Sequence, residues 1–576
     1  MLKLGPTGNP SARSASQAPE SFPKQSFKLS RPQFITNTAS LPFLQFSRGT
    51  EEMANNQGAA QSYYQEGAPQ QMNYAQQPQG QEYAMKNQYQ QNPPDYGNYA
   101  PQNYDAGGEK QEFSQAFKLD KPKFNDWWAG LLFLLTFAGF VVVSGVSIQG
   151  YASTKGFNGG GIYGSRNDFG LDTNTLVLFI FCLAVSIVLS YGYVWMARVF
   201  TKQFIWATGI LNIIFGFATA IYMLSRKYWS GGIVFLLFSV FTVICFISWI
   251  PRIPFSVLML QTSIDVSKRY GHVYLVSFLG GLVATAFGAW FSVTLVAVYV
   301  KYEPGNNPAC SKGAGGCSSA KVIGLLVFIT FAAYWISEVL KNIVHTTISG
   351  VYGSWYFCSH NMPKGPTRGA FKRAMTYSFG SISLGSLIVA IINMLRQACS
   401  IAQNQAGQDG NILGSIFFCC LQCFIGLLDW AVQFINRYAF SHIALYGKSY
   451  FKAAKDTWTM IKSRGIDALV NECLIGPVLT IGATFIAYAC ALLAYCYLIF
   501  TSPAYNKDGS YTPVVVAFAF LIGLQICNVF TTPLSSGIDT IFVASAWDPE
   551  VLMRDHPDLY ARMVAVYPQV QQAIHA

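Results

Sequence analysis

The chain has 576 residues, 52% hydrophobic, 15% aromatic and only 11% charged, with 38 Lys and Arg against 27 Asp and Glu and a formal net charge of +11. Uncharged runs of about 20 residues recur along it, each long enough to cross a bilayer as a helix, which excludes an ordinary soluble protein. The positive charge collects in particular loops, and the chain has neither a phosphate-cradling glycine loop nor an alternating basic–aromatic patch, so nucleic acid is not an expected partner.

Residues 1–52 are rich in Ser, Pro, Lys and Arg and contain no apolar core of a secretory signal peptide. The composition changes at Met53, which reads as an alternative start. From 53 to 112 there is no Leu, Ile, Val, Phe or Trp. Such a segment cannot bury a core, and 1–123 as a whole reads as a disordered cytoplasmic tail rich in Gln, Asn, Tyr and Pro. Within it, Pro93-Pro94-Asp95-Tyr96 matches the PPxY pattern bound by WW domains, including those of ubiquitin ligases. Paired prolines hold the polyproline II conformation that presents them and the Tyr ring to an aromatic groove.

The apolar part opens after Lys118, Lys121 and Lys123, with Trp127 and Trp128 as interfacial anchors. Ten spans are predicted, at 127–148, 175–199, 204–223, 232–250, 273–300, 322–345, 377–394, 412–435, 470–500 and 514–530. This predicts an all-α polytopic membrane protein with a transmembrane domain over 124–548 and a C-terminal tail over 549–576. Basic residues cluster in alternate loops (Arg252, Lys268 and Arg269; Lys364, Arg368, Lys372 and Arg373; 437–464), while the others are rich in Gly, Ser and Asn. The positive-inside rule then puts both termini in the cytoplasm, as an even span count requires. Arg226 and Lys227 break the pattern at the turn between the third and fourth spans.

Most of the 13 cysteines lie in apolar runs and read as small core residues. Cys310 and Cys317 differ, sitting in a Gly/Ser loop that the charge count places outside, where a disulfide is expected. No metal site is expected from the cysteine and histidine spacings. Two inner segments read as more than linkers. One is 254–270; the other is 437–466, which as a helix sets Phe451, Ala454, Trp458 and Ile461 on one face with lysines beside it. That second pattern suits a helix lying in membrane lipid at the interface, or equally a solvated helix packed on the bundle.

The sixth span carries the candidate site. Trp335, Glu338, Lys341, Asn342 and His345 recur at steps of three and four and share one helical face. Ionisable groups at membrane depth cost a few kcal/mol each, so they line a watered path or pair with a neighbouring helix; both readings stand. Asp429 with Trp430, the group Asp467, Asn471 and Glu472, and Asp539 add further polar positions. A carboxylate among aromatic rings suits an ammonium substrate through cation–π attraction. Trp290, Tyr334, Trp335, Trp355, Tyr356 and Trp430 are the candidate rings. Motifs of hydrolases, metalloproteases and other enzymes are missing, and neither catalysis nor a cofactor is expected.

Three stretches carry a family resemblance. These are Trp335-Ile-Ser-Glu338-Val-Leu-Lys341-Asn342-Ile-Val-His345 through Gly350 and Trp355-Tyr-Phe357, then Arg437 to Asp456, then Gly537-Ile-Asp539-Thr540 with Asp548. Together they resemble the choline transporter-like family, most nearly its fungal pH nine-sensitive branch, over roughly 124–548. The resemblance implies a ten-span plasma-membrane transporter fold with cytosolic termini. For animal members it implies proton-coupled movement of choline or ethanolamine. A small-organic-cation carrier working by alternating access, with Glu338 as counter-charge, is the function expected. A non-transporting scaffold or lipid-organising protein is the other reading, and it predicts that Glu338→Gln leaves the phenotype intact.

Overall fold

Lipid offers no hydrogen bonds to a backbone, so apolar runs must satisfy theirs internally as helices. The computed structural model describes residues 123–155, 173–302, 318–463, 475–501, 503, 506 and 512–566, in which the regular structure is helical throughout. The chain separates into two units, 1–100 and 101–576, and every described residue belongs to the second. The PPxY residues Pro93, Pro94 and Tyr96, the cysteines Cys310 and Cys317, and Asp467, Asn471 and Glu472 lie outside the described residues.

The helices are α1 (Trp127–Lys155), α2 (Thr173–Val199), α3 (Thr201–Ser225), α4 (Trp229–Trp249), α5 (Ile253–Arg269), α6 (His272–Tyr302), α7 (Ser319–Phe357) and α8 (Pro366–Met375). They continue as α9 (Phe379–Gln408), α10 (Ile412–Tyr446), α11 (Tyr450–Ser463), α12 (Ile475–Thr501), α13 (Thr512–Trp547), α14 (Pro549–Asp555) and α15 (Pro557–Val566). Among the described residues ten segments are long and apolar enough to cross a membrane. They match the ten predicted spans one for one. Several helices run further than hydropathy alone indicates. The sixth span and the 350–357 stretch form one 39-residue helix, α7, and the eighth span continues through Arg437 to Tyr446 as α10.

Gly447 ends α10 in the left-handed conformation at φ 59°, and its N–H bonds the Ile443 carbonyl. A residue without Cβ takes that conformation at no steric cost. The segment after the fourth span is α5, whose Phe255, Met259, Leu260 and Ile264 are buried in the core rather than laid on lipid. The stretch read as a C-terminal tail forms α14 and α15 over 549–566, with Leu552 and Met563 fully buried.

Among the described residues two large apolar clusters make most of the core, with a smaller third around Leu178, Leu498 and Val515. One gathers α1, α6, α9, the second half of α10 and the first half of α7 around Phe133, Phe140, Ile329, Trp335 and Phe440. The other gathers α5, α12, α13, α14 and α15 with the second half of α7 around Met259, Ile348, Tyr352, Tyr356 and Phe542. Thus α7 begins in one cluster and ends in the other. In its second half α13 lies so close to α7 that a Cβ on Gly537 would meet the Tyr352 ring at 2.2 Å. The Tyr352 hydroxyl donates to the Ser263 carbonyl at 2.9 Å, and the Ser263 hydroxyl donates to the Leu534 carbonyl at 3.0 Å, which joins α5, α7 and α13.

The C-terminal helices close this end of the bundle. Tyr356 donates to the Asp548 backbone carbonyl at 2.9 Å, Tyr446 donates to the Asp548 carboxylate at 2.6 Å, and His556 Nε2–H donates to the Tyr356 carbonyl at 2.9 Å. The His556 ring also lies 4.4 Å from Trp355. Burial holds the His556 imidazole below its ordinary pKa, against the opposing pull of its carbonyl partner and Asp555, with His360 adding to the depression.

Two outcomes are expected. Gly537→Ala lowers the unfolding midpoint in detergent by the equivalent of about 1–3 kcal/mol through overpacking. Gly426→Ala, whose Cβ would meet nothing within 4 Å, leaves the midpoint unchanged or higher. The depressed His556 pKa means that the unfolded chain binds the proton more tightly. Docking of α14 and α15 is therefore fully stable above the ordinary imidazole pKa of about 6.5 and weakens as pH falls below it. Hydrogen-exchange protection over 549–566, corrected for the intrinsic exchange rate at each pH, should be lower at pH 5.5 than at 7.5, and His556→Gln should flatten that difference.

Candidate functional site

Where α7 passes between the two apolar clusters, its polar stripe faces a cavity of about 310 Å³. Five helices wall the cavity. From α7 come Glu338, Lys341, Asn342 and His345; from α9, Val389; from α10, Gln433, Asn436, Arg437 and Phe440. The first turns of α12 add Gly476, Leu479 and Thr480, and α13 adds Asn528, Thr531, Thr532, Ser535, Ser536 and Asp539. Among the described residues Phe440 is the single Phe, Tyr or Trp in that lining.

Two ion pairs of unlike character sit in its wall. Arg437 grips Asp539 with both arms of its guanidinium, Nη2 to Oδ1 at 2.6 Å and Nε to Oδ2 at 3.1 Å. The Asp539 side chain is only 3% exposed, so an unpaired charge there would be costly. Lys341 reaches Glu338 on the same helix through one contact of 3.4 Å, with the lysine 61% exposed and the glutamate 18%. A one-point contact from a flexible, exposed lysine is weak, whereas a buried fork is not.

His345 bridges three helices. Its Nε2 lies 3.0 Å from the Arg437 carbonyl and its Nδ1 lies 2.9 Å from the Ser536 hydroxyl. A carbonyl can only accept, so Nε2 carries the proton and Nδ1 accepts from Ser536. Asn342 donates to Ser386 of α9 at 2.9 Å. Asn436 accepts from the Tyr450 hydroxyl at 2.6 Å, beneath Gly385, where any Cβ would strike Tyr450 and Phe440. Pro533 lies inside α13 and cannot donate to the Val529 carbonyl. One residue earlier, the Thr532 hydroxyl donates to the Asn528 carbonyl at 2.7 Å.

Other sequence-predicted positions lie elsewhere. Trp335 is buried away from the cavity: its Nε1–H donates to the Ser383 carbonyl at 2.9 Å and its ring packs on Phe133. The five-residue stripe covers an arc of about 120° on the helix, too wide for one cavity, and α9 seals the Trp335 edge. Tyr334 is half-buried against the first apolar cluster, outside the lining. Asp429 is buried one turn beyond the lining residue Gln433, which donates to it at 2.9 Å, and Arg396 approaches it at 4.0 Å. Trp430 is 65% exposed on the outer face of α10 and stacks on Phe434.

The remaining rings also have partners away from the cavity. Trp290 donates to Ser144 at 2.6 Å beside Phe140, while Trp355 and Tyr356 serve the C-terminal closure. The aromatic cage expected from sequence does not form around this cavity. No group of three or more His, Cys, Asp or Glu that could hold a metal occurs among the described residues.

Among the lining residues that sequence reasoning missed, Arg437 matters most: the charge pattern assigns it to the start of an inner loop, yet it stands inside α10. Gly447, a helix-stopping residue ten positions later, was the available signal.

A family model described as a plasma-membrane choline transporter matches residues 233–550, more than half of the chain. Protein PNS1 of Gibberella zeae is 66% identical over 478 residues, covering 83% of this chain and 88% of that protein. Protein PNS1 of Neurospora crassa is 67% identical over 464 residues, 81% of this chain and 84% of its own. The Saccharomyces cerevisiae protein of the same name is 42% identical over 474 residues, again 81% of this chain, and 88% of its own.

Arg437→Gln strands a buried carboxylate and is expected to cost about 3–5 kcal/mol of stability. Asp539→Asn should cost less, because the released guanidinium, 45% exposed, can turn outward. The double variant should lose less than the two singles added together. Denaturant or thermal unfolding of the four proteins in one detergent measures all three quantities.

Proposed function

The chain belongs to the choline transporter family, and from that footing we propose that it carries a small organic cation, choline- or ethanolamine-like, through the five-helix cavity by alternating access. It acts as a carrier and not as an enzyme. Its setting is the plasma membrane, with both termini in the cytoplasm and the basic loops facing inward. The observation that carries this reading is the inequality of the two ion pairs.

A cation entering the cavity needs a carboxylate whose present partner can leave. Asp539 cannot supply it, because Arg437 holds both of its oxygens. Glu338 can, since Lys341 touches it at one point and reaches outward. Glu338 is therefore the counter-charge that exchanges Lys341 for the substrate's ammonium, or for a proton on the empty carrier. Exchange of proton and cation at one carboxylate is a direct route to proton coupling.

The lining also ranks substrates. With Phe440 as the only Phe, Tyr or Trp among its described lining residues, cation–π attraction is a small part of recognition. Hydroxyl and amide groups of Asn342, Gln433, Thr531 and Ser535 offer acceptors to N–H and O–H donors. A primary ammonium that donates three hydrogen bonds suits this lining better than a quaternary one that donates none. Ethanolamine is the better-fitted substrate of the pair. Alternating access is supported by the position of the cavity between two apolar clusters that share α7, since such clusters can rock as bodies.

Uptake of radiolabelled ethanolamine and choline into proteoliposomes, with and without a pH gradient, is the test. Ethanolamine should enter faster than choline, and Glu338→Gln should lower uptake by about tenfold or more with unfolding unchanged. Trp430→Ala should stay close to wild type. Absence of any amine movement at every gradient, or full uptake by Glu338→Gln, would overturn the carrier reading and favour a scaffold.

A further inference from the structure

The helix α11 lies beside the start of α1 and presents a face that nothing among the described residues covers. Its position is fixed from several sides. Asn125 donates to the Gly447 carbonyl at 2.6 Å, and Asp126 accepts from the Tyr450 backbone N–H at 2.8 Å and from Ser381 at 2.7 Å. Lys448 bridges back to Asp456 at 2.8 Å and stacks over Trp547 at 4.1 Å. Tyr450, Ala453, Thr457 and Met460 turn inward and are buried.

The opposite arc holds Phe451, 64% exposed, Trp458, 58% exposed, and the exposed lysines Lys452, Lys455 and Lys462. No acidic residue shares that arc, and these three lysines make no ion pair among the described residues. The depth of α11 follows from its partners. The bonds from Asn125 and Asp126 tie it to the two residues before Trp127, where the first apolar span begins. Trp127 and Trp128 are themselves exposed there.

A helix held at the end of a span, with two large rings outward and three lysines among them, matches the boundary between acyl chains and headgroups. A water-exposed helix would gain nothing from leaving those rings uncovered. We propose that this face of α11 docks on the anionic phospholipid headgroups of the leaflet surrounding the bundle, with Phe451 and Trp458 seated in lipid and the lysines binding phosphate and carboxylate oxygens. The site is separate from the cavity and independent of what the cavity carries. Charge complementarity and continuity with the lipid-facing surface of the spans commit the face to lipid. Each lysine near such a surface contributes about fivefold in affinity.

The test uses the full chain in nanodiscs of phosphatidylcholine alone or with phosphatidylserine. Native mass spectrometry should show phosphatidylserine enriched on the wild type after partial delipidation. The variant Lys452→Gln/Lys455→Gln/Lys462→Gln should lose that enrichment while melting like wild type in phosphatidylcholine. The fluorescence component absent from Trp458→Phe should be quenched by brominated acyl chains. Retained enrichment in the triple variant would overturn the proposal. So would a Trp458 component quenched by aqueous acrylamide, which marks a water-facing helix. A component quenched by neither reagent, which marks a face covered by another part of the chain, would overturn it too.

Discussion

The Arg437–Asp539 fork sets how far α10 and α13 can slide or turn against one another. Two parallel hydrogen bonds between planar groups tolerate little rotation, and a carboxylate 3% exposed has no water to fall back on. His345 then brings α7 into the same arrangement, because its ring is held from Arg437 on one side and Ser536 on the other. Three long helices share one charged joint inside the bundle. The joint defines the back wall of the cavity, so the space in front of it keeps its shape while its more exposed residues exchange partners.

The surrounding contacts suit that division. Below the joint, Gly537 lets α13 approach the Tyr352 ring, and Ser263 links α5 to both helices. Above it, Trp335 and Asn342 bind α7 to α9 through Ser383 and Ser386. The cavity is left between these two seams, where the Glu338–Lys341 pair is the more weakly held. The seams confer rigidity; the loose pair is free to change partners.

Much of the fold could be read in the chain because lipid imposes length and apolarity on each crossing, and α1, α6 and α9 have little freedom to disguise themselves. The helix ends were harder. Neither α7 beyond His345 nor α10 beyond Ile435 is apolar enough to stand out, since their last turns pack against protein. The site was half legible. Glu338, Lys341, Asn342 and His345 do line one cavity, as helical spacing indicated. Trp335 looks identical in that spacing, but periodicity cannot say which neighbouring helix covers which edge. The partnership of Arg437 with Asp539 spans 102 positions, and no local pattern encodes it. On α11 the face read as apolar divides, with Phe451 and Trp458 outward and Ile461 inward.

The 39 residues of α7 make a rod about 58 Å long, nearly twice the thickness of the hydrocarbon layer. Its first half belongs to one packed cluster and its last turns to another, with the polar stripe at the midpoint. A stiff beam clamped at both ends and loaded at its centre transmits any tilt imposed on one clamp to the other. A tilt imposed on the Ser319 end of the helix is therefore carried to the C-terminal closure around Tyr356 and Asp548, without any messenger diffusing between them.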